Sequence, residues 1–114
     1  MPATKISEQR KHKRFEAPKA IAVNPGNVCR VIDISTGGLS FKCFLTINFP
    51  TKWSLDIIIA GSNFQLTQLP VELVWKTPAD HSSFHFIPAG IAGVKFDDLH
   101  QSQAEMLDYL LSQF

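Results

Sequence analysis

The chain has 114 residues, enough for one domain with its own core. Hydrophobic residues make up 45% and charged residues 18%, which excludes a disordered chain. The net charge of +1 hides an asymmetry: residues 1–14 carry Lys5, Arg10, Lys11, Lys13 and Arg14 against Glu8, a net of +4, whereas residues 15–114 carry six Lys/Arg against nine Asp/Glu, a net of −3.

A basic tip on a mildly acidic body suits an anionic partner such as a phosphate ligand, nucleic acid or a membrane surface; on charge alone a solvated tail is the better reading. Two cysteines, Cys29 and Cys43, are too few for a disulfide framework. They read as small buried side chains, or as a pair facing each other across a hairpin near Thr36-Gly37. The N-terminus lacks the apolar stretch of a signal peptide, and no apolar run nears the roughly 18–20 residues that cross a bilayer. The expectation is a cytoplasmic protein with reduced thiols.

In chain order, residues 1–14 show no helical or strand period and read as a flexible basic arm, ahead of a domain over 15–114. Short apolar runs then alternate with turn signals. Strands are expected at Ala20–Val23, closed by the Asn24-Pro25-Gly26 turn, at Val28–Ile34, at Leu39–Leu45 after the Thr36-Gly37-Gly38 bend, and at Trp53–Ala60. A fifth combines Phe64–Leu66 with Val71–Lys76; Pro70 between them predicts a bulge or an edge position. A sixth combines Phe84–Ile87 with Ile91–Phe96 across Pro88-Ala89-Gly90. The period then changes: Leu99, Met106, Leu107, Leu110, Leu111 and Phe114 recur at three- and four-residue steps, an amphipathic helix over about 99–113. Asp97 and Asp98 precede it, and Ser102-Gln103-Ala104-Glu105 fits a capping box one turn later. Six strands and one helix predict an all-β fold with a C-terminal helix: a six-stranded antiparallel β-barrel.

Two constellations carry chemistry. Arg10-Lys11-His12-Lys13-Arg14 holds an R-x-x-x-R before the first strand. Asp33-Ile34-Ser35-Thr36-Gly37-Gly38 is a D-x-S-x-x-G at the end of the second. Guanidinium forks match phosphate oxygens and the O6 and N7 acceptors of guanine. A carboxylate at Asp33 complements the guanine N1–H and N2–H donors, Ser35 adds a small donor and acceptor, and Gly38 permits a sharp turn or close approach of a flat ligand. Taken singly, each motif also has a plain reading, as a basic tail and as a local Asx-type turn.

In this order and fold context, the two motifs resemble the signature of the PilZ family, a six-stranded barrel. The resemblance spans about residues 9–114, supported by Val74-Trp75, Gly93-Val94-Lys95-Phe96 and the closing helix. It implies binding of the bacterial second messenger cyclic di-GMP by Arg10, Arg14, Asp33, Ser35 and Gly38, with Gly37 in the same turn. Trp75 stands where some members place an aromatic beside the ligand, although a Trp in a strand is more often core. Many members have an arginine where this chain has Gln9, which argues against a stacked pair of nucleotides. The resemblance also implies relay to a downstream protein in motility, pilus or biofilm control.

Other chemistries find little support. His12, His81, His85 and His100 lack metal spacing and no C-x-x-C is present, so neither a metal nor another cofactor is expected. No nucleophile elbow, paired catalytic carboxylates or P-loop appears, so no enzymatic activity is expected. Positive charge concentrated in the arm, on a mildly acidic body, argues against a nucleic-acid track. A PilZ-fold adaptor that works only through protein contacts is the alternative.

Overall fold

The computed structural model describes residues 13–43, 49–77 and 90–114. These form seven strands and one helix: β1 (Phe15–Glu16), β2 (Ala20–Asn24), β3 (Asn27–Ile34), β4 (Gly38–Cys43), β5 (Lys52–Ile59), β6 (Gln65–Lys76), β7 (Gly90–Phe96) and α1 (Gln101–Leu111). Every strand pairing is antiparallel, in the order β1-β3-β2-β5-β6-β7-β4, and a β3–β4 pairing closes β2 to β7 into a six-stranded barrel. β1 is a two-residue addition that pairs with the end of β3, Phe15 opposite Ile34 and Glu16 opposite Asp33.

Closure explains the core. One face of each strand turns inward, and Ala22, Cys29, Val31, Ile34, Leu39, Phe41, Leu55, Ile57, Leu66, Leu69, Val71, Ala92 and Val94 fill the interior. At roughly 1.5–3 kcal/mol for each large aliphatic or aromatic side chain, this burial is the main force holding the barrel. α1 lies against β6 and buries Leu107, Leu110 and Leu111. Its start is fixed by Gln103, whose side-chain oxygen accepts the His100 N–H (3.0 Å) and whose amide donates to the carbonyls of Thr67 (3.1 Å) and Gln68 (3.0 Å).

The structure revises four details of the sequence reading. The helix is capped at His100 and not at Ser102, because Gln103 satisfies the His100 amide while Glu105 accepts a bond from Gln101 (3.1 Å). Pro70 neither interrupts β6 nor marks an edge: it sits opposite Ser54, between β5 and β7, and its carbonyl accepts the Asp97 N–H at 2.8 Å. The bulge lies earlier, where Asp56 faces Thr67 and Gln68; the Gln68 backbone, at φ 53°, donates its N–H to the Asp56 carboxylate at 2.7 Å.

The third revision concerns the cysteines. Cys29 and Cys43 are joined in a disulfide, not held as separate thiols. They are directly opposed in the β3–β4 register that pairs Arg30 with Lys42, and their Cα atoms are 4.7 Å apart. That is the separation of a non-hydrogen-bonded cross-strand pair, in which side chains come closest. Fourth, Trp75 is not core: it is 44% exposed. The expected strand residues 44–45 and 84–87 lie outside the described residues.

Candidate functional site

A regular strand alternates its faces, so β3 should bury Asp33 along with Cys29 and Val31. It does not, because the β3–β4 register shifts between Val31 and Asp33: Val31 faces Phe41, Asp33 faces Ser40, and Ile32 is the extra residue. Ile32 already faces outward by alternation with Val28 and Arg30; the bulge turns Asp33 outward as well and returns Ile34 to the core, fully buried. β6 repeats the device. Its register with β7 shifts between Leu73 and Trp75, Val74 is the extra residue, and Trp75 turns outward. Bulges re-aim side chains in this way beside functional sites.

The two bulges bring their residues into one row across the outer face. Asp33 on β3 is opposite Ser40 on β4, Ser40 is opposite Gly93 on β7, and Gly93 is opposite Trp75 on β6. Three strand spacings separate the ends, about 14 Å from Asp33 to Trp75 along the sheet. Trp75 narrows that span by leaning over Gly93. A Cβ built on Gly93 would collide with Trp75 Nε1 and Cε2, and lie 2.8 Å from Cζ2. Only glycine lets the indole cover this position, and the half-exposed ring is left as a platform.

At the other end, Asp33 Oδ1 accepts two bonds, from Arg14 Nη1 (2.8 Å) and from Ser40 Oγ (2.8 Å). The Arg14 and Asp33 side chains are 33% and 28% exposed, so solvent screens the pair and it contributes no more than about 1 kcal/mol. Arg14 is brought here by β1, which begins at the next residue and pairs with β3.

The turn from β3 to β4 uses the remaining motif residues differently. Ser35 is 2% exposed. Its Oγ accepts the N–H of Gly37 (3.1 Å) and Gly38 (3.3 Å) and donates to the Gly38 carbonyl (3.3 Å), while its own N–H donates to that carbonyl at 2.8 Å. The Gly37 carbonyl accepts the Phe96 N–H at 2.9 Å. Gly38 has no positive φ; glycine is required because a Cβ would strike the Val94 carbonyl and lie 2.9 Å from Lys95 Cα on β7. Ser35, Gly37 and Gly38 therefore build the turn that holds Asp33 beside β4. Arg10 and Gln9 lie outside the described residues.

Of the expected residues, the structure brings Arg14, Asp33 and Trp75 to one face, with Ser35, Gly37 and Gly38 at its margin. Sequence reasoning missed Ser40 and Gly93. The register that aligns them depends on two bulges with no clear local signature, although Gly93 lies inside the Gly93-Val94-Lys95-Phe96 motif. Two clefts of about 300 Å³ lie elsewhere, one around Pro18, Ile21 and Val28 and one between β6 and His100, and neither is lined by the row. Among the described residues no cluster of His, Cys, Asp and Glu could hold a metal ion, and no helix is long and apolar enough to cross a membrane.

Known structures share this architecture. An uncharacterised Legionella protein superposes with a TM-score of 0.62 at 17% identity, covering 89% of this chain and 91% of that one. The PilZ domain of Escherichia coli YcgR, solved with cyclic di-GMP, gives 0.65 at 11% identity, with 92% and 90% covered. The K. pneumonia MrkH complex with cyclic di-GMP gives 0.69 at 13% identity, with 90% of this chain and 50% of that one covered. No curated protein matches the sequence. The PilZ domain model matches residues 8–113, nearly the whole chain, and with the closed barrel and the outward-facing Asp33 it makes this chain a member of the PilZ domain family.

Proposed function

We propose that the chain is a cyclic di-GMP receptor, not an enzyme, that relays the ligand's presence to a partner protein. The observation that carries this reading is the alignment of Asp33, Ser40, Gly93 and Trp75 in one row of a PilZ barrel, with Arg14 paired to Asp33 at its end. The chemistry of the row matches a guanine nucleotide: a cation for phosphate, a carboxylate for the guanine Watson–Crick edge, and an indole face for stacking.

The Arg14–Asp33 pair gives the exchange a low cost. A phosphate takes Arg14, a guanine takes Asp33, and the ligand replaces one screened ion pair with two charge-assisted contacts. Arg10, on the family pattern, joins Arg14 on the phosphates. Ordering of the segment that carries both arginines changes the surface offered to a partner, a population shift driven by the ligand's preference for the closed arrangement. The output is motility, pilus or biofilm control. A bacterial second messenger as ligand places the protein in the cytoplasm, where reduction would bear on the Cys29–Cys43 bond.

One observation favours the adaptor reading: Ser35 and Gly38 are fully used by the turn, as they would be in a barrel that binds no nucleotide. Calorimetric titration with cyclic di-GMP separates the two readings. A receptor shows saturable binding that Arg14→Ala weakens and GTP does not reproduce; an adaptor shows no heat of binding.

A further inference from the structure

We infer that Ser40 is a positioning residue for guanine recognition: its hydroxyl fixes the Asp33 carboxylate so that Oδ1 is held by the protein and Oδ2 is presented to the base. The inference rests on the proposal that Asp33 reads guanine. It adds a residue that lies outside both sequence motifs.

The geometry is specific. Ser40 faces Asp33 across the β3–β4 register, immediately after the bulge at Ile32. Its side chain is on the outer face, since its neighbours Leu39 and Phe41 fill the core, yet Ser40 is only 6% exposed. Its hydroxyl donates to Asp33 Oδ1 at 2.8 Å, on the same oxygen that Arg14 takes at 2.8 Å. Among the described residues no hydrogen bond falls on Oδ2. The two donors differ in permanence. Arg14 is a long side chain in a screened ion pair, free to move to a phosphate. Ser40 is short, nearly buried and fixed to β4, so its bond persists when Arg14 leaves.

A carboxylate reading the guanine edge must present an oxygen to N1–H and the exocyclic N2–H in one orientation. Rotation about the Asp33 side chain would lose that match while keeping the charge. Ser40 thus acts on selectivity for the exocyclic amine as well as on affinity. The discriminating pair of probes is cyclic di-GMP and cyclic di-IMP, whose hypoxanthine lacks that amine. A site built to bond a donor penalises the analogue that lacks it.

The test compares wild type, Ser40→Ala and the conservative Ser40→Thr. The rotamer state of Asp33 is first read by NMR from its side-chain scalar couplings, without any nucleotide. Expected are one rotamer in wild type and Ser40→Thr, and averaging in Ser40→Ala. Both dinucleotides are then titrated. Ser40→Ala is expected to weaken cyclic di-GMP about tenfold, the scale of one hydrogen bond to a charged group, to weaken cyclic di-IMP less, and so to shrink the ratio between them; Ser40→Thr restores the ratio. A single Asp33 rotamer in folded Ser40→Ala, or an unchanged ratio, overturns the role of Ser40. If wild type binds neither dinucleotide, the receptor reading fails, and the NMR couplings still decide whether Ser40 positions Asp33.

Discussion

The indole of Trp75 on β6 occupies the space that a Cβ on Gly93 of the neighbouring strand β7 would need, so the placement of the ring requires glycine at 93. Gly93→Ala is expected to lift the indole from the sheet while leaving the barrel folded, because the residue lies on the outer face. The check is the indole N–H resonance in NMR. That of Trp75 should shift and broaden in Gly93→Ala, whereas that of Trp53, whose Nε1 donates to Asn24 Oδ1 at 2.8 Å, should stay in place. Cyclic di-GMP affinity should fall by about 1–3 kcal/mol, the scale of one base–aromatic stack. Unmoved Trp75 with unmoved affinity would mean that the ring is not a platform.

Arg14 has separable effects on stability and binding. Its ion pair with Asp33 is a third exposed, so Arg14→Ala should change unfolding free energy by less than about 1 kcal/mol. Its loss should cost binding on the order of 2 kcal/mol, as for a charge-assisted contact. Arg10→Ala should cost binding by a similar amount on the family pattern. Chemical denaturation and calorimetry on the same preparations read the two quantities.

Ser35 should show the reverse balance. Removing its hydroxyl leaves the Gly37 and Gly38 amides without the acceptor they use. Ser35→Ala is therefore expected to destabilise the fold by about 1–3 kcal/mol, the cost of stranding the buried Gly38 amide, with the part-buried Gly37 amide adding less. A denaturation midpoint equal to wild type would show that the turn does not depend on this side chain and that its role lies with the ligand.

The Cys29–Cys43 bond closes a loop with a sequence separation of 14. Loop-closure entropy for such a length is about 3 kcal/mol, an upper figure here because the β3–β4 pairing already holds the ends together. Reductant should lower the denaturation midpoint, and denatured protein that has not met reductant should offer no thiol to an alkylating reagent. Two alkylated cysteines in that preparation would contradict the bond.

Most of the architecture was legible because it follows from periodicity. Away from the bulges, the apolar runs between turn signals mark the strands from Ala20 to Lys76 and helical spacing marks Gln101–Leu111, and their core residues are the apolar ones. Arg14 and Asp33 were legible for a different reason, their place in two short motifs. The site row was not legible as a row. Simple alternation puts Asp33 and Trp75 on the inside with Val31 and Leu73, and only the extra residues Ile32 and Val74 reverse this. A bulge is settled by pairing with a partner strand distant in sequence, so local composition carries little of it. The same holds for the cysteines, whose opposition depends on register, and for Ser40, whose role appears only once Asp33 has been turned outward to meet it.

The most direct test of the receptor account is calorimetric titration of the wild-type chain and Arg14→Ala with cyclic di-GMP, with GTP as the control. The account predicts saturable wild-type binding that GTP does not reproduce and that weakens by about 2 kcal/mol, some thirtyfold, in the variant. Absence of binding by the folded wild type, or equal affinity in Arg14→Ala, would contradict it.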